Sequence, residues 1–139
     1  MRETDIEAAI TAYLRFALPP LAVSFHIPNG AQLGARQLWQ MRRAGMVAGI
    51  PDRCVLWNGK AYFLECKGPK GRLSPAQEEM FVRIEDADCE VAVVRSVEDV
   101  EARLIEWGIP INARLKLSAN DEIMLRCGRM PRPEWRSDE

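Results

Sequence analysis

The dipeptide Asn58-Gly59, set between two largely apolar runs, restricts what this chain can become more than any other feature. A two-residue loop of this composition suits a type I′ turn, whose twist matches that of paired strands. It predicts an antiparallel hairpin of Arg53–Trp57 and Lys60–Lys67. It also fixes the register: Trp57 faces Lys60, and stepping back along both strands brings Asp52 opposite Glu65. Directly opposed residues share a face, with Cβ atoms roughly 4.5–5.5 Å apart. Two carboxylates placed there repel, and a divalent cation is the simplest way to offset the cost. Hard oxygen donors favour Mg²⁺ or Mn²⁺. Alternation puts Phe63, Glu65 and Lys67 on one face and Tyr62, Leu64 and Cys66 on the other. Asp52, Glu65 and Lys67 are therefore expected to converge at one end of the hairpin. A carboxylate-held ion can polarise a phosphodiester, and a lysine beside it can orient water or neutralise charge on the phosphate. A blander reading makes Asp52 a turn residue after Pro51, with Glu65 and Lys67 on a solvated strand face. It suits a generic hairpin better than this strand, which is otherwise apolar and ends in the basic loop Gly68–Leu73.

Helical and strand periodicities surround this hairpin. Ile6, Ala9, Ile10, Tyr13, Leu14 and Ala17 recur at helical spacing over 3–17, and Pro19-Pro20 ends that helix. Leu21–Ile27 reads as a short strand stopped by Pro28-Asn29-Gly30, and 32–44 as a second helix, rich in Arg and Gln, closed by Gly45. Ser74-Pro75 opens a third helix, with Ser74 as N-cap, Pro75 at its first position and Gln77 completing a capping box. Its expected core face is Ala76, Met80, Phe81, Ile84 and Ala87. Glu90–Val94 reads as a buried strand. Val97–Trp107 reads as a helix with Val100, Leu104 and Trp107 inward, ended by Gly108 and Pro110. Such alternation with one hairpin implies a mixed sheet with helices packed on it. Residues 1–108 form the expected domain. Residues 109–139 are a C-terminal extension, read as a dimerisation segment or a loose tail, with Leu117–Cys127 as a short capped helix.

At 139 residues the chain suits one core. The net charge of −1 argues weakly against a nucleic-acid partner, but binding depends on local patches. Positive charge gathers at 36–43, 67–72 and 126–136, while the acids concentrate in 78–106. The single histidine, His26, excludes multi-histidine zinc sites, so the chemistry falls to carboxylates and lysines. Cys54, Cys66, Cys89 and Cys127 form no CxxC pair and are expected to be reduced thiols of a cytoplasmic protein. The acidic, amphipathic N-terminus does not read as a signal peptide, and no apolar run approaches the ~20 residues of a membrane span.

Gly49-Ile50-Pro51-Asp52 followed by Glu65-Cys66-Lys67 resembles the PD-(D/E)XK nuclease motif. The ordered set EtdIe, FHIPNG, MrraGmvaGIPD, FLECKgpkGrLSPaQ and EVAVVRS, spanning roughly residues 3 to 107, resembles the VRR-NUC branch of that superfamily. The resemblance implies a restriction-endonuclease-like α/β fold with an αβββαβ-type core. The implied activity is Mg²⁺- or Mn²⁺-dependent cleavage of structured DNA, including branched junctions, in a bacterial or phage-infected cell. Asp52 and Glu65 are implied metal ligands, the main-chain carbonyl of Cys66 a further one, and Lys67 the catalytic lysine. A first-helix glutamate, Glu3 or Glu7, is implied at the site, although acids also suit a solvated helix N-terminus. Gln77 matches a supporting glutamine, with the capping box as its other reading. Asn29, Gly30, Arg36, Arg42, Arg43, Lys70 and Arg72 are candidates for DNA contact, each weighed against a turn or solvated-surface role. Trp39 reads as core, interface or base-stacking residue, and His26 as a strand residue. A chain with one such site cuts one strand, so a symmetric junction suggests a homodimer. The helix bearing Trp39 and Met41, or the segment with Ile109, Ile111, Leu115 and Leu117, is the expected surface. The rival reading is a non-catalytic DNA- or protein-binding module.

Overall fold

The hairpin forms in the expected register. β2 (Arg53–Trp57) and β3 (Lys60–Cys66) pair antiparallel from Trp57↔Lys60 to Arg53↔Leu64. Asn58 and Gly59 both take positive φ, 49° and 79°, as a type I′ turn demands. The computed structural model describes residues 2–30 and 32–112; the anticipated helix Leu117–Cys127 and the basic cluster at 126–136 lie outside them.

Around the hairpin stand α1 (Glu3–Ala17), β1 (Val23–His26), α2 (Ala35–Arg43), α3 (Pro75–Asp86), β4 (Glu90–Val94) and α4 (Val97–Glu106). The sheet order is β1-β2-β3-β4, with β1 antiparallel to β2 and β4 parallel to β3. This is the mixed, helix-flanked sheet that the element order implied, in a restriction-endonuclease-like α/β arrangement. Alternation divides the faces. Val55, Tyr62, Leu64, Cys66, Ala92 and Val94 pack with Ile10, Tyr13 and Leu14 of α1 and with Val100 and Leu104 of α4. The opposite face carries Phe63 and Glu65 and receives α3, whose buried side chains are Met80 and Ile84. Ser74 caps α3 as anticipated: its hydroxyl accepts from the Gln77 N–H, and the Gln77 side-chain carbonyl oxygen accepts from the Ser74 N–H.

Several expectations are corrected. Ala76 and Ala87 are exposed, because α3 turns only a narrow stripe to the sheet. β1 is shorter than Leu21–Ile27, since the chain reaches β2 only over Val23–His26. α2 is shorter than 32–44 and buries none of its residues, so Trp39 is not a core side chain. Ile109 is buried and Ile111 packs against the same core. The Asn112 N–H donates to the carbonyl of Ala17. Ile109 and Ile111 therefore belong with α1 and α4 and are not free for a partner. Leu115 and Leu117 lie outside the described residues.

Gly49 (φ +79°) lies against the start of α3, where an added Cβ would come within 2.3 Å of the Ala76 carbonyl oxygen, a backbone atom that cannot swing away. Gly59 has the same φ with nothing within 4 Å of the added Cβ. Both substitutions to alanine meet the left-handed backbone penalty of about 1–2 kcal/mol. Gly49→Ala adds a steric clash and is expected to cost roughly a further 1–3 kcal/mol. Paired urea denaturations of the two variants will show the difference.

Candidate active site

The β2–β3 ladder ends at Arg53↔Leu64 because the chain bends away at Pro51-Asp52. Extending the register would set Pro51 opposite Cys66, and proline has no N–H to give. Carboxylates take over from the ladder here. The Cys66 N–H donates to Asp52 Oδ2 at 2.9 Å, and the Asp52 N–H donates to Glu65 Oε2 at 3.1 Å. Each acid thus satisfies a buried main-chain donor beside the other acid, and both are buried, Asp52 at 6% and Glu65 at 2% exposure. The Asp52 carbonyl in turn accepts from the Ile27 N–H at 2.6 Å, which ties the end of β1 to the same point. Asp52 and Glu65 are neighbours as expected, but the ladder stops one residue short of pairing them. They are successive caps rather than two bare charges on one face: Glu65 accepts from the Asp52 N–H, and Asp52 accepts from the Cys66 N–H.

Glu65 Oε1 has two further neighbours: Gln77 Nε2 donates to it at 3.0 Å, and Lys67 Nζ stands at 3.5 Å. Gln77 thus caps α3 with its backbone N–H and side-chain oxygen and bonds Glu65 with its side-chain nitrogen. Burial pushes the Glu65 carboxyl up to about 7, and the charge of Asp52 adds to the shift. Lys67 and the Asp52 N–H oppose it. Cys66 points into the opposite, apolar face, where burial and the nearby carboxylates push its thiol up to about 12. That thiol is protonated at neutral pH and unsuited to bind a metal ion.

The N-terminus of α1 brings both candidate glutamates, not one. Carboxylate oxygens of Glu3, Glu7 and Asp52 lie within 4.8 Å of one another. Burial raises the Glu7 pKa, Asp52 and Glu3 raise it further, and His26 and Arg53 pull it back. Glu65 stands outside this trio, so Asp52 links an acidic cluster on α1 to the Glu65–Lys67–Gln77 cluster at α3. Crowded, half-buried carboxylates with repulsion left over form a hard-oxygen donor set that fits a divalent cation such as Mg²⁺ or Mn²⁺.

Arg53 is a participant that the sequence reading missed. It is buried, donates to Thr11 Oγ1 and pairs with His26 across β1–β2. Burial holds its guanidinium below the ordinary value, while the charges of Glu7 and Asp52 work against that shift. The available signal was an arginine at a core-facing position of an apolar strand, immediately after Asp52. The candidates for DNA contact are not gathered at the acids. Asn29, Gly30 and Arg42 line a cavity of about 380 Å³ under α2 with Leu38, Met46 and Gly49. Arg36 and Arg43 lie on the exposed surface of α2, and Lys70 and Arg72 are exposed on the loop after β3. That loop turns back with Gly71 against the Lys67 side chain.

A sheet of this topology, with its acids and lysine where the central hairpin ends, defines a nuclease domain of the restriction-endonuclease-like class. The model of the VRR-NUC domain matches residues 6–98, about two thirds of the chain, and the protein belongs to the VRR-NUC family. The match takes in Glu7, Asp52, Glu65, Lys67 and Gln77, and begins after Glu3. No curated protein matches the chain. Membership makes this a nuclease-type, DNA-processing domain. Among the described residues no helix is long and apolar enough to cross a membrane.

A carboxyl held at about 7 against an ordinary 4.5 binds its proton more tightly in the fold than in the unfolded chain. Its contribution to stability is complete below about pH 4.5 and is lost as pH rises through 7. In the absence of divalent cations, melting temperature should therefore fall between pH 5 and pH 8, on the order of 5 °C for a domain of this size. Glu65→Gln keeps an acceptor for the Asp52 N–H and should flatten most of that slope. An unchanged slope in calorimetry of the variant would remove Glu65 as its source.

Proposed function

We propose that the protein is a divalent-metal-dependent DNA endonuclease that cuts branched structures such as four-way junctions. The observation that carries the proposal is the joining, through Asp52, of the α1 acids to Glu65 and Lys67 at one buried hairpin end. Asp52, Glu65 and the Cys66 carbonyl would hold Mg²⁺ or Mn²⁺, assisted by Glu3 and Glu7. The bound ion supplies Lewis-acid activation of the phosphodiester. The Cys66 carbonyl suits this role because the residue across from it, Pro51, has no N–H to offer. Lys67, half-buried beside Glu65, neutralises charge on the phosphate and helps to orient water. Gln77 fixes the Glu65 rotamer from the start of α3. Arg53 balances the acids from behind. The free thiols Cys54, Cys66 and Cys89 are in keeping with work in a reducing cytoplasm.

A homodimer supplies two such sites to a substrate with paired strands. α3 covers the β4 side of its sheet face, and the other half of that face carries an apolar patch. Val23 (52% exposed) pairs with Leu56 (41%), with Phe25 also on edge strand β1 and exposed Leu21 just before it. An exposed apolar edge is the kind of surface that a second copy covers. Light scattering behind size exclusion should give twice the chain mass, and Val23→Lys should reduce it to one; a monomer mass for the unaltered protein at micromolar concentration ends the dimer reading.

Asp52→Asn and Glu65→Gln are expected to lower cleavage of labelled junction DNA by about 10³-fold or more in Mg²⁺ or Mn²⁺, since each removes a charged ligand. Lys67→Ala should keep metal affinity, measured by calorimetry, and lose roughly 10²–10³-fold in rate. Cys66→Ala should cut within about twofold of the unaltered protein at a cost of about 1 kcal/mol in stability. Near-normal cleavage by Asp52→Asn would refute the site.

A further inference from the structure

α2 turns outward a set of side chains that the core does not use. None of its residues is buried, and it holds three arginines and no acid. Trp39 is 58% exposed, and the Arg43 guanidinium lies over its ring at 5.2 Å from the centroid. Helical spacing sets Arg36 one turn before Trp39 and Arg43 one turn after it, so the three form a single outward stripe. Leu38 and Arg42, on another side of the helix, line the cavity that seats α2 on Pro28–Gly30 and Met46–Ile50. An added Cβ on Gly30 would meet the Leu38 side chain at 2.4 Å, a measure of how closely the helix sits on that turn.

This excursion of the chain starts and ends at the active site. The Ile27 N–H is bonded to the Asp52 carbonyl, so residues 28–51 leave and return at the proposed metal ligand. Gly49, on the returning limb, abuts Ala76 and Gln77, and Gln77 holds Glu65. α2 is thereby presented on a base braced against both halves of the site.

We infer that Trp39, bracketed by Arg36 and Arg43, is a stacking platform for an unpaired base of the DNA, and that it lets the enzyme distinguish branched from continuous duplex. The inference rests on the nuclease reading and adds its substrate discrimination. The indole offers a flat apolar face, which a base has no reason to leave its neighbours for in an intact duplex. At a branch or flap the stack is already broken, and the added contact is available at little cost. The two guanidiniums supply charge complementarity to the phosphates on either side of such a base. Without an acid on the same helix they do not cancel locally.

The test uses the full chain without divalent cations, so that binding is read without cleavage. The probes are flap and four-way-junction DNA with 2-aminopurine at an unpaired or branch-point position, and a duplex of equal length. Binding should quench the 2-aminopurine signal. Trp39→Ala should abolish the quench and weaken branched-DNA binding about tenfold, with under about twofold change on duplex. Trp39→Phe should restore much of both, which a merely structural role would not predict. Arg36→Ala with Arg43→Ala should weaken both DNAs alike and reduce the salt slope by about 2. If Trp39→Ala keeps the quench and the branched-to-duplex ratio, the inference fails while the nuclease reading stands. If that variant instead turns a dimer into a monomer with the ratio unchanged, a second copy occupies the surface and the inference again fails. If the unaltered protein neither binds these DNAs nor cuts them in Mg²⁺ or Mn²⁺, the nuclease reading fails and takes the inference with it.

Discussion

Two hydrogen bonds at the end of one hairpin hold the site in being. Cys66 N–H to Asp52 and Asp52 N–H to Glu65 stand where the strand ladder would have continued had Pro51 been able to take part. A buried N–H left without an acceptor costs on the order of 1–3 kcal/mol. The fold therefore requires acceptors at the place where the proposed chemistry requires carboxylates. That coincidence explains how two acids are held close together in a half-dry site. Each offsets part of its repulsion by accepting a main-chain hydrogen bond, and Lys67, Gln77 and Arg53 take up more. Burial, with the remaining repulsion added to it, raises the values of Glu65 and Glu7.

Much of this arrangement is legible in the amino-acid sequence, for reasons that are local. Asn58-Gly59 permits one tight turn, the turn dictates the register, and the register puts Asp52 across from Glu65. Ser74-Pro75-Ala76-Gln77 likewise carries its own helix start. The sequence is silent where the outcome depends on distant partners. Strand parity alone would send the Asp52 side chain to the Glu65 face. A bend at Pro51-Asp52, anchored by Ile27, brings its carboxylate between Cys66 and the α1 glutamates instead. A choice between Glu3 and Glu7 follows from assuming one ligand per helix, yet residues four apart on a helix present their side chains together, and Asp52 meets both. Arg53 looks like an ordinary strand residue because nothing nearby in sequence reveals that α1 crosses over it.

The same locality explains the misjudged margins. Helical periodicity in 32–44 identifies α2 but does not show that no part of the core lies beneath it, because an arginine- and glutamine-rich helix with Leu38, Trp39 and Met41 looks amphipathic either way. Past Gly108 the pattern fades, yet Ile109 is buried in the core that α1 and α4 share, and Asn112 ties back to Ala17. A single well-placed isoleucine carries no periodicity, so only the packing discloses it.

The bond between Ile27 and Asp52 has an evolutionary corollary. Everything from residue 28 to residue 51 is a detour whose two ends are already clamped together, and its helix contributes no residue to the core. Lengthening such a closed detour costs little, because closure entropy grows only with the logarithm of loop length. Descendants of this scaffold could therefore exchange the helix, enlarge it or replace it with an inserted subdomain while leaving the acids undisturbed. The architecture separates the buried acids from a peripheral helix that can be exchanged, and mutational drift can alter the second without risking the first.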